Sequence, residues 1–239
     1  MNKKLEKAIK SALAAPKPTR KLAFLSSLSY PKATNLEFFL SQILYIRKRF
    51  WCLSFLLFIG MVTFSTTLKQ GKEIVGLLSA VLPLLTLTGI SEINKSLSYN
   101  MSELEMSCKY NLDRITLIRL SVIGAFHFVI LLLSMLIFKE QTQYGLFRYA
   151  LYTVTPFLLS SYLSFWMTNH IKSKDTVYIC SGVTMLISLA VLTIDINFAV
   201  IYAANYTLLW GMAFVAIATL LTKEIYFFLT ERNTQWNFV

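Results

Sequence analysis

Apolar and polar residues fall along this chain in long blocks. Six mostly apolar blocks, near 51–68, 74–92, 117–138, 146–168, 177–194 and 198–222, are separated by polar interruptions, brief except between the second and third. A helix needs about 20 apolar residues to cross roughly 30 Å of hydrocarbon, so each block predicts one membrane-spanning helix. The expected fold class is all-α, a polytopic membrane protein with six transmembrane helices over 51–222. Residues 179–221 are nearly continuous apolar sequence broken by Asp195, Asn197 and Asn205. That leaves two arrangements open, a simple hairpin or a partial re-entry near 195–206. Re-entry requires protein or water to satisfy the irregular backbone at that depth.

Residues 1–50 predict a basic, amphipathic, interfacial segment. Leu5, Ala8, Ile9, Ala12 and Leu13 recur at helical spacing with Lys on the other face, until Pro16 ends the pattern. Leu36 to Phe50 reads as a second interfacial helix turning into the first span. Its closing Arg47, Lys48 and Arg49 are expected to anchor it at lipid headgroups. The Lys-rich start is not followed by an apolar core before Pro16 and Pro18, so no secretory signal is expected.

The sizeable polar loop after the first span is 93–119. Within it, Ser102 and Glu105 form a capping-box pattern that predicts a helix over about 102–110. Met101, Leu104 and Cys108 share one side of it, while Glu103 and Lys109 point elsewhere. A short amphipathic helix with an apolar ridge and acidic neighbours suits a groove on a cytoplasmic protein.

Composition agrees with the block pattern: 56% of residues are hydrophobic and 15% charged, a balance suited to a bilayer as solvent. The net charge of +11 is a topology signal, and no nucleic-acid partner is expected. Nineteen Lys and Arg lie in 1–50, 93–119, 169–176 and 223–239, against four at Lys69, Lys72, Lys139 and Arg148. Positive charge stays on the inner side, so both termini, including a tail at 223–239, are expected in the cytoplasm. The outward loops, Lys69 to Glu73, Lys139 to Gly145 and around Asp195 to Asn197, are too short for an extracellular domain.

The loop and layout resemble the permease subunits of type-2 ATP-binding-cassette (ABC) exporters. The matching residues are Glu103-Leu104-Glu105-Met106-Ser107, then Asn111-Leu112-Asp113-Arg114-Ile115 and Arg119-Leu120. In layout the resemblance covers nearly the whole chain, and in motif about twenty residues. It implies that Ser102, Glu103, Leu104, Glu105, Met106, Ser107 and Cys108 form a coupling helix. It further implies a cytoplasmic ABC ATPase partner holding ATP and Mg, and a second permease copy or a sister permease. Two departures stand out: only 195–206 is available for the outward element that many members carry between spans five and six, and the N-terminal segment is longer than a minimal lead-in helix.

Catalytic chemistry is sparse. The chain has no GxxxxGK[ST] loop, HExxH or GxSxG, so no enzyme activity and no cofactor are expected on the chain itself. Cys52, Cys108 and Cys180 show no metal-ligand spacing, and no metal site is expected. Intramembrane polar groups are costly and repay inspection. His127 reads first as a packing histidine bonded to a neighbouring hydroxyl and second as a proton relay. Pro83 and Pro156 can kink their spans. Pro83, His127, Tyr162 and Phe165 are the candidate cavity residues, and Asp195 and Asn197 the candidate outer gate.

The expected function is the membrane subunit of an ABC exporter for an amphipathic or hydrophobic cargo such as an antimicrobial peptide, drug or lipid-like molecule. The expected location is a plasma membrane, with a bacterial source. Two alternatives stand beside it: an integral regulator or assembly factor that docks a cytoplasmic signalling partner, and an ion-driven secondary carrier.

Overall fold

The computed structural model describes residues 35–67, 71–94, 112–138, 145–171, 175–197, 202 and 204–234. The expected helices at 5–13 and 102–110, and the loops at 69–70 and 139–144, lie outside them. The chain divides into two compact units, Met1–Phe38 and Phe39–Val239, and the helical bundle belongs to the second.

The apolar blocks fold as α-helices, and the described residues contain no strand. The order is α1 (Asn35–Tyr45), α2 (Lys48–Thr67), α3 (Gly71–Ile93), α4 (Leu112–Phe138), α5 (Leu146–His170), α6 (Thr176–Asn197), a 3-10 turn at Ala204–Tyr206, and α7 (Thr207–Thr234). Among the described residues five helices are long and apolar enough to cross a membrane, within Lys48–Ser65, Ile74–Ile93, Ile115–Phe138, Thr176–Asn197 and Thr207–Thr230. Their number and the lipid-like surface they expose are those of a multi-pass membrane protein.

The fourth expected span coincides with α5, whose 25 residues are long enough but less apolar. Its Thr and Ser side chains are largely buried against α3, α6 and α7. They are accommodated by bonding back to their own helix: Thr155 to Leu151 O at 2.6 Å, Ser161 to Phe157 O at 2.9 Å, Thr168 to Ser164 O at 2.8 Å. Hydroxyls satisfied this way let helices approach closely without stranding a donor in hydrocarbon.

Packing runs mainly between α3 and α5, α3 and α6, and α5 and α7, with α4 leaning on this group. Two apolar clusters stack along the bundle. One holds Met61, Leu78, Leu82, Ile130, Phe138 and Tyr152; the other holds Phe50, Ile90, Val122, Ile123, Phe165 and Phe228. Between them lies a polar stratum of Ser54, Thr86, Thr88, His127 and Ser160, all buried. α6 is fastened to α3 through the Ser188 hydroxyl, which donates to Ala80 O, and through Asp195, whose carboxylate presses against Gly76.

Two boundaries differ from expectation. The interfacial helix ending at Phe50 is observed as α1, a break at Ile46–Arg47, and a restart at Lys48, so Lys48 and Arg49 open the membrane helix itself. The last span, expected over 198–222 with a tail from 223, is a helix over Thr207–Thr234. Its late start follows from Tyr202, whose carbonyl accepts the Tyr152 hydroxyl at 3.2 Å and whose ring stacks on Trp210. Its late end follows from Glu224, which is held by Asn169 on α5.

Candidate functional site

An apolar cavity of about 420 Å³ opens among α3, α4, α5 and α7. α3 contributes Thr86, Gly89, Ile90 and Ile93, and α4 contributes Leu120, Ile123, Gly124, His127, Phe128 and Leu131. Val154, Phe157, Leu158, Ser161 and Phe165 come from α5; Phe214, Ala218, Leu221, Thr222 and Ile225 from α7. Among the described residues no charged side chain lines it, and its volume falls among ordinary small-molecule sites, roughly 300–1,000 Å³.

Two glycines border the cavity in different ways. A Cβ at Gly89 would stand 3.0 Å from Ile123 Cγ2 and 3.2 Å from His127 Cε1, whereas a Cβ at Gly124 would meet nothing within 4 Å. Gly89 therefore lets α4 approach α3, and Gly124 leaves the cavity's outer rim open. Gly124, Phe128 and Thr222 are exposed, so the mouth lies on the side surface of the bundle between α4 and α7.

His127 is 6% exposed and is the polar centre of the site. Its ring is surrounded by Phe50, Phe126 and Phe157, with centroids 5.9, 6.4 and 6.0 Å away. The Ser54 hydroxyl donates to Thr88 Oγ1 at 3.1 Å, the Thr88 hydroxyl donates to Leu85 O at 2.7 Å, and His127 Nε2 lies 3.3 Å from Thr88 Oγ1. With the Thr88 hydroxyl donating to Leu85 O, Thr88 Oγ1 is left as an acceptor; this hydrogen-bond network assigns the imidazole hydrogen to Nε2 and a lone pair to Nδ1. The chain Ser54–Thr88–His127 joins α2, α3 and α4.

The expected cavity residues divide. His127 and Phe165 line the cavity; Pro83 and Tyr162 do not. Pro83 is buried, and its carbonyl accepts the Thr86 hydroxyl at 2.7 Å. Gly89, Gly124, Thr86 and Ser161 were not singled out by sequence. Their available signal was modest, glycine inside an apolar helical run, which usually has a packing reason.

The expected anchors and gate residues sit at the ends. Arg47 Nε is 3.9 Å from Glu92 Oε1, while Lys48 and Arg49 are exposed. Near them Arg119, 2% exposed, places its guanidinium 5.1 Å from the Tyr45 ring centre. Asn94 donates to Thr168 at 3.2 Å and Asn169 to Glu224 Oε2 at 2.7 Å, so one end of the bundle is tied by polar pairs. Asp195 lies half-buried near the end of α6, against Gly76; Asn197 is exposed and donates to Thr193 O at 2.8 Å. Ser102 to Cys108 lie outside the described residues. No group of three or more His, Cys, Asp or Glu that could hold a metal occurs among the described residues.

No protein-family profile, curated protein or solved structure matches this chain.

Proposed function

We propose that the chain is the six-span membrane subunit of an ABC exporter, with α5 as its fourth span, and that a hydrophobic or amphipathic cargo occupies the cavity among α3, α4, α5 and α7. The observation that carries this reading is the cavity itself: apolar, uncharged, large enough for a small molecule, and open on the side surface of the bundle.

The placement of α4 supports it. This helix forms one side of the cavity, and from Leu112 it takes up the end of the 93–119 segment that resembles a coupling loop. ATP-driven closure of two cytoplasmic ATPases against that loop would shift α4 and change the cavity's access. The permease does mechanical work only through the difference in ATP affinity between its two conformations.

The test is co-purification and reconstitution. The chain should carry down an ATPase with a phosphate-binding loop, and Glu103→Lys or Glu105→Lys should lower that association or transport-coupled hydrolysis while membrane insertion persists. Full coupling in both variants removes the loop from the mechanism. Recovery of a signalling protein without an ATPase would overturn the exporter reading.

A further inference from the structure

The polar groups around the cavity share one property: their donors are already spent. The Thr86 hydroxyl donates to Pro83 O at 2.7 Å, Ser161 to Phe157 O at 2.9 Å, and Thr222 to Thr219 O at 2.8 Å. In the tautomer assigned from the Thr88–Leu85 bond, His127 Nε2 donates to Thr88. The lining backbone belongs to helices, whose N–H groups bond within their own turns. The lining therefore offers lone pairs: on the Ser161 and Thr222 oxygens, on Thr86 Oγ1, which also accepts from Ser160 at 3.3 Å, and on His127 Nδ1, 3.9 Å from where a Cβ at the lining residue Gly89 would stand. Among the described residues Nδ1 makes no hydrogen bond.

From this we infer that the cavity selects neutral, apolar molecules that carry a hydroxyl or N–H, with His127 Nδ1 accepting the hydrogen bond. The inference rests on the cavity being a cargo site and adds the class of molecule it takes. A ligand with only ether or carbonyl oxygens finds no donor here and leaves its acceptor bare, which is the costly case in an apolar site. An anion finds neither a donor nor a cation among the described residues, where no Lys or Arg lines the space. A molecule bringing its own donor satisfies both itself and the imidazole.

The experiment uses the full chain in lipid nanodiscs and three probes sharing one ring system: 1-naphthol, its methyl ether 1-methoxynaphthalene, and the anion 1-naphthoate. Calorimetric titration is corrected with empty discs and with each probe's partition coefficient. The expected result is at least tenfold tighter binding of 1-naphthol than of the ether, with 1-naphthoate weakest. His127→Phe, which keeps a ring of similar bulk without the acceptor, should bring naphthol and ether to equal affinity. Gly124→Phe, which fills the cavity, should abolish binding of both. Equal wild-type affinities for naphthol and ether, both lost in Gly124→Phe, overturn the donor selectivity while leaving the cavity as a cargo site. No binding beyond empty discs, or binding indifferent to Gly124→Phe, overturns the cargo site and the selectivity together. Should His127→Phe fail to fold, the wild-type ratio of the three probes still decides.

Discussion

The carboxylate of Asp195 on α6 fills the space that a side chain would take at Gly76 on α3. The two helices meet there because one position has no Cβ. Gly76→Ala should separate them and destabilise the folded protein by about 1–3 kcal/mol, the usual cost of overpacking a tight contact. Asp195→Ala in the same chain should recover most of that loss. Thermal unfolding of the two single variants and the double variant checks the coupling, and simple additivity would show that the contact carries no such energy.

Gly89 and Gly124 both border the cavity, yet they predict opposite responses. Gly89→Leu drives a side chain into Ile123 and His127 and should lower the midpoint of thermal unfolding by several degrees. Gly124→Leu enters open space and replaces a poor helix former, so stability should hold or rise by up to about 1 kcal/mol. Parallel melting curves in one detergent test the contrast.

Thr88 joins three helices: it accepts from Ser54, donates to Leu85, and lies 3.3 Å from His127 Nε2, the assigned donor. Thr88→Val preserves shape but leaves the imidazole N–H and the Ser54 hydroxyl without their acceptor. The expected loss is about 1–3 kcal/mol. Adding Ser54→Ala and His127→Phe should restore much of it, because the buried donors are then gone. A triple variant no more stable than Thr88→Val would contradict the hydrogen-bonding role assigned to the polar stratum.

The charge asymmetry predicts sidedness. In a chain with Cys52, Cys108 and Cys180 replaced, Glu140→Cys should react with a membrane-impermeant maleimide in intact cells, and Lys95→Cys only after lysis. The reverse pattern would invert the expected topology.

Helix positions were largely legible because block length maps directly onto a crossing. The blocks at 74–92 and 117–138 lie inside α3 and α4 with small shifts at their ends. The break before α7 was less legible, since Ile179 to Leu221 carries little local punctuation and the turn is set by Tyr202 meeting Tyr152 and Trp210 across the bundle. Lys223 and Glu224 read as an exit from the membrane, whereas a partner at Asn169, 55 positions away in sequence, sits beside Glu224 within the continuing helix. The site was legible in part for the same reason. His127 and Phe165 draw notice by residue type, but Gly89 fits closely against Ile123 and His127 while Gly124 borders open space, and which glycine does which is decided by packing. Pro83 was chosen for its effect on backbone, and it acts behind the lining: its carbonyl accepts the hydroxyl of Thr86, which lines the cavity, while Pro83 itself does not.

The mouth between Gly124, Phe128 and Thr222 lies on the flank of helices long and apolar enough to cross a bilayer. Its surroundings are then acyl chains, and occupancy follows a molecule's concentration in lipid. Each methylene favours transfer out of water by about 0.8 kcal/mol, so four added methylenes enrich a solute in the membrane by roughly 200-fold. Two ligands with identical contacts inside the protein would then differ by that factor in apparent potency when dosed from water, and a weak site would look strong for the greasier one.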